Sequence, residues 1–337
     1  MMLLSISSLL VVLMMCALVR GFGPVGRISR RQPLAIEMKN FPVKIRNIVT
    51  KMKDATQKAL KSKLSRIEVE LPPAADYGVE KGGIFDNLPE LEKVKRSNRE
   101  AARLFTEMFS MLSSTTVCMF TTEGEARNAK TSYGGAFRGQ CLSIDGGGKG
   151  TKGFSNLRSR RFTAEEQEAA LLGSDGVYVP DGTEVLVVVG PRAKDFKKIK
   201  KMHEKLGEGT LIILLNARVD AVELLAGKEE GELAWLREAF TPVFTYAPPV
   251  LVNAQGEAEE QPNMLQYHEF GPEERWYIAE INTKAGFGGR GGQTDANVFE
   301  NLAAGFTGSS FKVLVESKDR LTPRELSVAL DERSLEK

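Results

Sequence analysis

Val185-Leu-Val-Val-Val189, closed by Gly190-Pro191-Arg192, and Leu211-Ile-Ile-Leu-Leu215, closed by Asn216, decide the fold. Uninterrupted apolar runs rich in Val and Ile are what strands covered on both faces look like. Between them Phe196, Ile199, His203 and Leu206 recur at helical spacing. Strand, helix and strand within about thirty residues make a βαβ unit, whose right-handed crossover leaves the strands parallel and adjacent. The chain is therefore expected to be α/β, a Rossmann-like three-layer sandwich with a mostly parallel central sheet.

Upstream, residues 42–65 predict an amphipathic helix. Val43, Ile48, Met52, Ala55, Ala59 and Leu60 share one side. Lys44, Arg46, Lys51, Lys53, Lys58, Lys61 and Lys63 oppose Asp54 alone on the other. Such a helix packs on the core and leaves a solvated basic face; the same face suits an anionic membrane surface or an acidic partner. Residues 66–71 alternate and stop at Pro72-Pro73, giving a first strand. Residues 74–95 read as loop, 99–112 as a helix opened by Ser97-Asn98, and 116–121 as a strand.

Downstream, residues 219–226 and 232–240 predict helices, the second burying Trp235 and Leu236. Residues 242–246 predict a strand ended by Pro248-Pro249, and 253–263 an acidic loop. Residues 275–281 and 311–315 pair as an antiparallel C-terminal hairpin. Thr322 and Pro323 then supply the N-cap and first turn of a last helix over 324–330.

Two stretches read as insertions in the single domain expected over 41–337: residues 123–175 and 284–308. In the first, Gly146-Gly-Gly-Lys-Gly150 invites a phosphate loop, but Ser143 stands where its first glycine belongs and Gly150 follows Lys149. A flexible segment is expected instead, with a short helix from Thr163 to Leu172 on capping-box spacing. In the second, Gly286-Phe-Gly288-Gly-Arg-Gly291 has G-x-G-x-x-G form but does not leave a strand directly, so it reads as a glycine-rich hairpin loop.

The chain has 337 residues, 42% hydrophobic and 27% charged, with formal net charge +2. The first forty residues hold five bases and one acid, so the remainder holds 41 bases and 43 acids. That balance argues against nucleic acid as a partner. Cys16, Cys118, Cys141, His203 and His268 are too scattered for a zinc site, and no metal or cofactor is expected. Cys118 and Cys141 read as reduced, separately placed thiols. Residues 1–40 read as a leader. Met1–Val19 is apolar apart from serines, and the stretch from Phe22 to Arg31 carries Arg and Ser without acid. A signal peptide followed by a Phe-led transit peptide resembles the leaders of algae with secondary plastids. Secretion and a membrane anchor are the rival readings.

Ligands of open α/β sheets sit beyond the carboxyl ends of the strands. This points to Gly190, Pro191, Arg192, Asn216 and Arg218, where two guanidiniums, an amide and a helix N-terminus would hold an anion. The alternative is loop punctuation with solvated arginines. Lys194, Lys197, Lys198, Lys200, Lys201 and Lys205 make one side of the following helix basic. His203 reads as a core imidazole. His268 reads as a loop residue near Glu269, Glu273 and Glu274, with no nucleophile to complete a catalytic set. No residue is assigned a catalytic role.

Seven short motifs occur in order: Ile67-Glu-Val-Glu-Leu-Pro-Pro73, Ser97-Asn-Arg-Glu-Ala-Ala-Arg-Leu-Phe105, Val185-Leu-Val-Val-Val-Gly-Pro191, Ile213-Leu-Leu-Asn216, Phe244-Thr-Tyr246, Glu274-Arg-Trp-Tyr277 and Thr322-Pro-Arg-Glu-Leu326. In this order the chain resembles, over about residues 43–332, the plastid domain-of-unknown-function family 1995, which includes the Low PSII Accumulation-like proteins. The resemblance implies a chloroplast protein of the stroma or thylakoid surface that assists photosystem II assembly without catalysis. Its partners would be a photosystem or thylakoid membrane protein and anionic lipid. The rival is an enzyme or sensor that binds a phosphorylated small molecule at the strand ends.

Overall fold

The computed structural model describes residues 41–42, 44–78, 85–145, 171–172, 177–220, 230–253, 255–272, 274–283 and 309–335. Its helices are α1 (Ile45–Lys61), α2 (Glu90–Met108), α3 (Glu123–Tyr133), α4 (Phe196–Leu206), α5 (Glu230–Ala239) and α6 (Pro323–Leu335). Its strands begin with β1 (Arg66–Glu70), β2 (Thr116–Phe120), β3 (Gln140–Ser143), β4 (Leu171–Leu172), β5 (Val177–Tyr178), β6 (Val185–Val189) and β7 (Leu211–Leu215). They continue with β8 (Thr241–Ala247), β9 (Val250–Val252), β10 (Ala258–Glu260), β11 (Met264–Glu269), β12 (Trp276–Thr283) and β13 (Ser309–Ser317).

The two apolar runs lie side by side and parallel, Val187 beside Ile213, with every residue of both strands buried. They sit inside a nine-stranded sheet of order β13-β12-β11-β8-β1-β7-β6-β2-β3. The strands from β8 to β3 are mutually parallel. β11, β12 and β13 continue the sheet antiparallel, and β12 with β13 is the expected hairpin. Helices cover both faces, so the expected α/β sandwich is the fold.

Alternation along the strands divides the core in two. Val185, Val187, Val189 and Ile213 face α1, α2 and α3, meeting Ile48, Met52 and Phe105. Leu186, Val188, Ile212 and Leu214 face α4 and α5, meeting Phe196, Ile199 and Leu236. Each such side chain taken fully from water contributes about 1.5–3 kcal/mol. His203 of α4 lies edge-on to Trp235, ring centroids 5.3 Å apart, at the margin of the second layer.

Several expectations need correction. α2 begins at Glu90, not residue 99. Pro89 sets its entry, and Glu90 and Glu92 place negative charge at the positive end of the helix dipole. The chain after Phe109 tightens into a 3-10 turn over Ser110–Thr115, leaving Met111 exposed. Within the stretch read as a flexible insertion, residues 123–143 form regular structure: α3 is capped by the Thr122 hydroxyl, and β3 forms the sheet edge. Leu171–Leu172 pairs as a strand with Val177–Tyr178 instead of ending a helix. The rest of that helix, the glycine run at 146–150 and the loop at 284–308 lie outside the described residues. The acidic loop at 253–263 holds β10, paired with β9. Cys118 and Cys141 are not separately placed: they are registered neighbours on β2 and β3. Burial holds both thiols well above the usual range, that of Cys141 at about 12.

Candidate functional site

β1 reads Arg-Ile-Glu-Val-Glu, the pattern of a strand with one wet face. It instead sits between β7 and β8, and all five residues are buried. Ile67 and Val69 join the first core layer. Arg66, Glu68 and Glu70 point the other way, under protein, and each must therefore find a partner there. Arg66 donates to the carbonyls of Thr210 and Gly207, closing the C-terminal end of α4.

Glu68 is met by Arg320, from the turn between β13 and α6. The guanidinium donates to both carboxylate oxygens, at 2.7 and 3.2 Å. It also bonds Asp220 Oδ2 at 3.1–3.2 Å and lies over the Trp276 ring, 5.3 Å from its centroid. Asp220 takes a second hydrogen bond from Arg237 of α5, at 2.9 Å. Burial works against charge on Arg320, but Asp220 and Glu68 outweigh it and raise its pKa. The cluster joins β1, the β7 exit, α5 and the β13–α6 turn.

Glu70 ends β1 at the carboxyl edge of the parallel strands. Its Oε1 accepts the backbone N–H of Arg218 at 2.6 Å. Its Oε2 has no hydrogen-bond partner among the described residues, the nearest cation being Arg218 Nη1 at 3.9 Å. Burial pushes this carboxyl up to about 7 against the pull of Arg218. Arg218 itself turns outward to the Pro248 carbonyl at 3.0 Å and Glu260 at 2.8 Å. Glu70, Arg218, Asp220, Thr245, Gln266 and Arg320 line a narrow, water-sized recess that opens to solvent.

One row of this face runs across four strands in register: Glu70, Thr245, His268 and Trp276. His268 is thus on β11, not in a loop, and is fully buried. Its ring stacks on Trp276 at 4.2 Å, and Nε2 lies 3.1 Å from the Pro242 carbonyl and 3.2 Å from Glu274 Oε1. Burial lowers its pKa to about 4, so the imidazole is neutral at physiological pH. Pro242 sits at the β8 bulge, where a missing N–H costs no ladder bond.

The residues expected to form an anion crevice are divided by the structure. Arg192 reaches toward β2, bonding Asp195, Asp145 and the Thr121 carbonyl. Burial disfavours the Asp145 carboxylate, but Arg192 and Lys194 outweigh that and lower its pKa. Arg218 reaches the opposite way, past β1 to the end of β8. Gly190, Asn216 and Asn98 meet on the α2 side. Asn216, at φ 52°, accepts from Leu71 N–H at 2.7 Å and donates to Asn98 Oδ1 at 2.7 Å. Pro191 is buried at the start of the β6–α4 connection. Each arginine is already matched by carboxylates, so the strand ends do not present a shared cationic cradle.

Sequence reasoning missed Glu68, Glu70, Asp220, Arg237, Gln266 and Arg320. The one available signal is charge alternating within a strand next to Pro72-Pro73. Among the described residues no three or more His, Cys, Asp or Glu gather as a metal site would require, and no helix is long and apolar enough to cross a membrane.

Fold and cluster together define an α/β protein whose parallel sheet is extended by an antiparallel strand trio and tied to it by buried ion pairs. The chain belongs to the family described as domain of unknown function DUF1995, whose sequence model matches residues 42–248. The match ends just after β8, so it contains the six parallel strands and excludes β9 to β13 and α6. Neither a curated protein nor a solved structure significantly matches the chain.

Proposed function

We propose that this protein is a non-catalytic plastid factor that docks on the anionic thylakoid surface and there assists photosystem II assembly. The observation that carries the docking is the outward side of α1. Lys44, Arg46, Lys53, Lys61 and Lys63 flank or lie on this helix and make no ion pair among the described residues. Its inward side, Ile48, Met52, Ala55 and Ala59, is sealed in the core. Lys51 and Lys58 are held at 3.1 Å by Glu269, which fixes the helix on β11. Each further base near an anionic bilayer contributes about 1 kcal/mol, falling off within a Debye length. The lysines of α4 are a weaker support. Lys194 and Lys198 share Asp145, and Lys200 lies over Trp235. The two helices cover opposite faces of the sheet, so one flat surface meets only one of them.

Family membership and the leader-like composition of residues 1–40 support the plastid address. The experiment is flotation with vesicles containing anionic thylakoid lipids, at low and high salt. Wild type is expected to float at low salt, and Lys61→Glu with Lys63→Glu to stay at the bottom while Lys197→Glu still floats. Equal flotation of all three, or none by wild type, overturns the proposal.

A further inference from the structure

We propose that the recess at the end of β1 binds a small primary ammonium group, held by Glu70. The cluster around it contains four carboxylates, Glu68, Glu70, Asp220 and Glu260, and three guanidiniums, Arg218, Arg237 and Arg320. With all seven ionised, these described groups carry one net negative charge, which Glu70 and the half-exposed Glu260 divide around Arg218. Glu68 has Arg320 on both oxygens, Asp220 has Arg320 and Arg237, and Glu260 has Arg218. Glu70 has a backbone N–H on Oε1 and, beyond hydrogen-bond distance, Arg218 Nη1 at 3.9 Å from Oε2.

Its other oxygen is buried and lacks a hydrogen-bond donor among the described residues, and Glu70 lines the recess. A buried carboxylate oxygen without a donor is destabilising. A group that brings both donors and a positive charge removes that cost. A phosphate or carboxylate ligand would bring the wrong sign beside Glu70 and Asp220. Thr245 and Gln266, whose side chains can accept hydrogen bonds, line the same recess. The backbone supports a built site: Asn216 and Arg218 both hold positive φ, 52° and 49°, which brings the Arg218 N–H onto Glu70. Non-glycine residues in this region cluster where a structure over-determines a functional geometry. The place is also where open α/β sheets take their ligands.

At neutral pH a proton competes for the same oxygen, because burial pushes Glu70 up to about 7. The charged groups facing Glu70 are Arg218 and Asp220 from the β7 exit, Glu68 on β1, Arg320 before α6 and Glu260 on β10. His268, two strands along the same row, is neutral in this range.

The test uses the full chain and methylammonium chloride, with tetramethylammonium chloride at equal ionic strength as the cation that cannot donate. Methylammonium is expected to raise the thermal midpoint at pH 8 by about 1–3 °C at ten times its dissociation constant. Its affinity falls toward tenfold per pH unit below pH 7 as the proton wins. Glu70→Gln, which keeps Oε1 for the Arg218 N–H, is expected to fold and lose the effect. Nα-acetyllysine amide alongside separates a partner's lysine tip, which it mimics, from a free amine. A midpoint unmoved by either amine, moved equally by tetramethylammonium, or moved equally in Glu70→Gln overturns the proposal.

Discussion

Arg320 and Glu68 stand 252 residues apart in sequence and form a two-pronged buried ion pair, at 2.7 and 3.2 Å. Glu68 lies within the segment matched by the family, and Arg320 lies beyond it. The pair therefore fastens the C-terminal strands and α6 to the parallel sheet. Removing one member of such a pair leaves an uncompensated buried charge. Arg320→Ala is expected to cost about 3–5 kcal/mol, read from urea unfolding. The further loss on adding Glu68→Gln should be much smaller than the loss from Glu68→Gln alone. Additive losses would mean the two side chains do not interact energetically.

Glu70 and His268 give opposite pH dependences. Glu70 is raised from 4.5 to about 7, so the folded state binds its proton more tightly. Its contribution is present below pH 4.5 and lost as pH rises through 7. His268 is lowered from 6.5 to about 4, so its contribution is present above pH 6.5 and lost as pH falls through 4. Between about pH 4.5 and 6.5 the two oppose one another. Glu70→Gln is expected to steepen the rise of the urea midpoint with pH across that window and to abolish a fall between 6.5 and 7.5. Parallel curves for the variant and wild type would show that Glu70 titrates normally.

Gly190 holds φ +53°, and a Cβ there would lie 3.0 Å from Asn98 Nδ2. Gly190→Ala is expected to lower stability by about 1–3 kcal/mol through backbone strain and this contact. In an Asn98→Ala background the contact is gone, and the same substitution should cost less. Equal costs in both backgrounds would assign the whole effect to the backbone.

The legible part of this molecule is local. The β6–α4–β7 unit declares itself because apolar period and helix spacing lie within one short stretch. Thr322 and Pro323 declare the start of α6 in the same way, and the Thr322–Glu325 pair closes there as a reciprocal cap. The buried cluster could not be read so directly. Glu68 looks like a solvated residue until Asp220 and Arg320 arrive from distant positions. β11 escaped for a related reason: Gln266 and His268 take inward positions that a half-buried strand would fill with apolar residues. Arg192 and Arg218 both follow strand ends in the sequence, but nothing local shows that one turns toward β2 and the other toward β8.

The place of β1 in the sheet sets the order in which the protein can assemble. It precedes the other described strands, yet its neighbours β7 and β8 come long after it; Leu71 at its end bonds a residue 145 positions later. Closing so large a loop delays the contact until late in folding. The β6–α4–β7 crossover unit, being contiguous, is expected to form the nucleus, with β1 inserting afterwards between two waiting edges. Ile67→Val should then speed unfolding and leave the refolding rate nearly unchanged, whereas Val187→Ala should slow refolding. Until that insertion a ribbon of alternating charge and hydrocarbon stays open to chaperones, which makes β1 the segment most in need of escort.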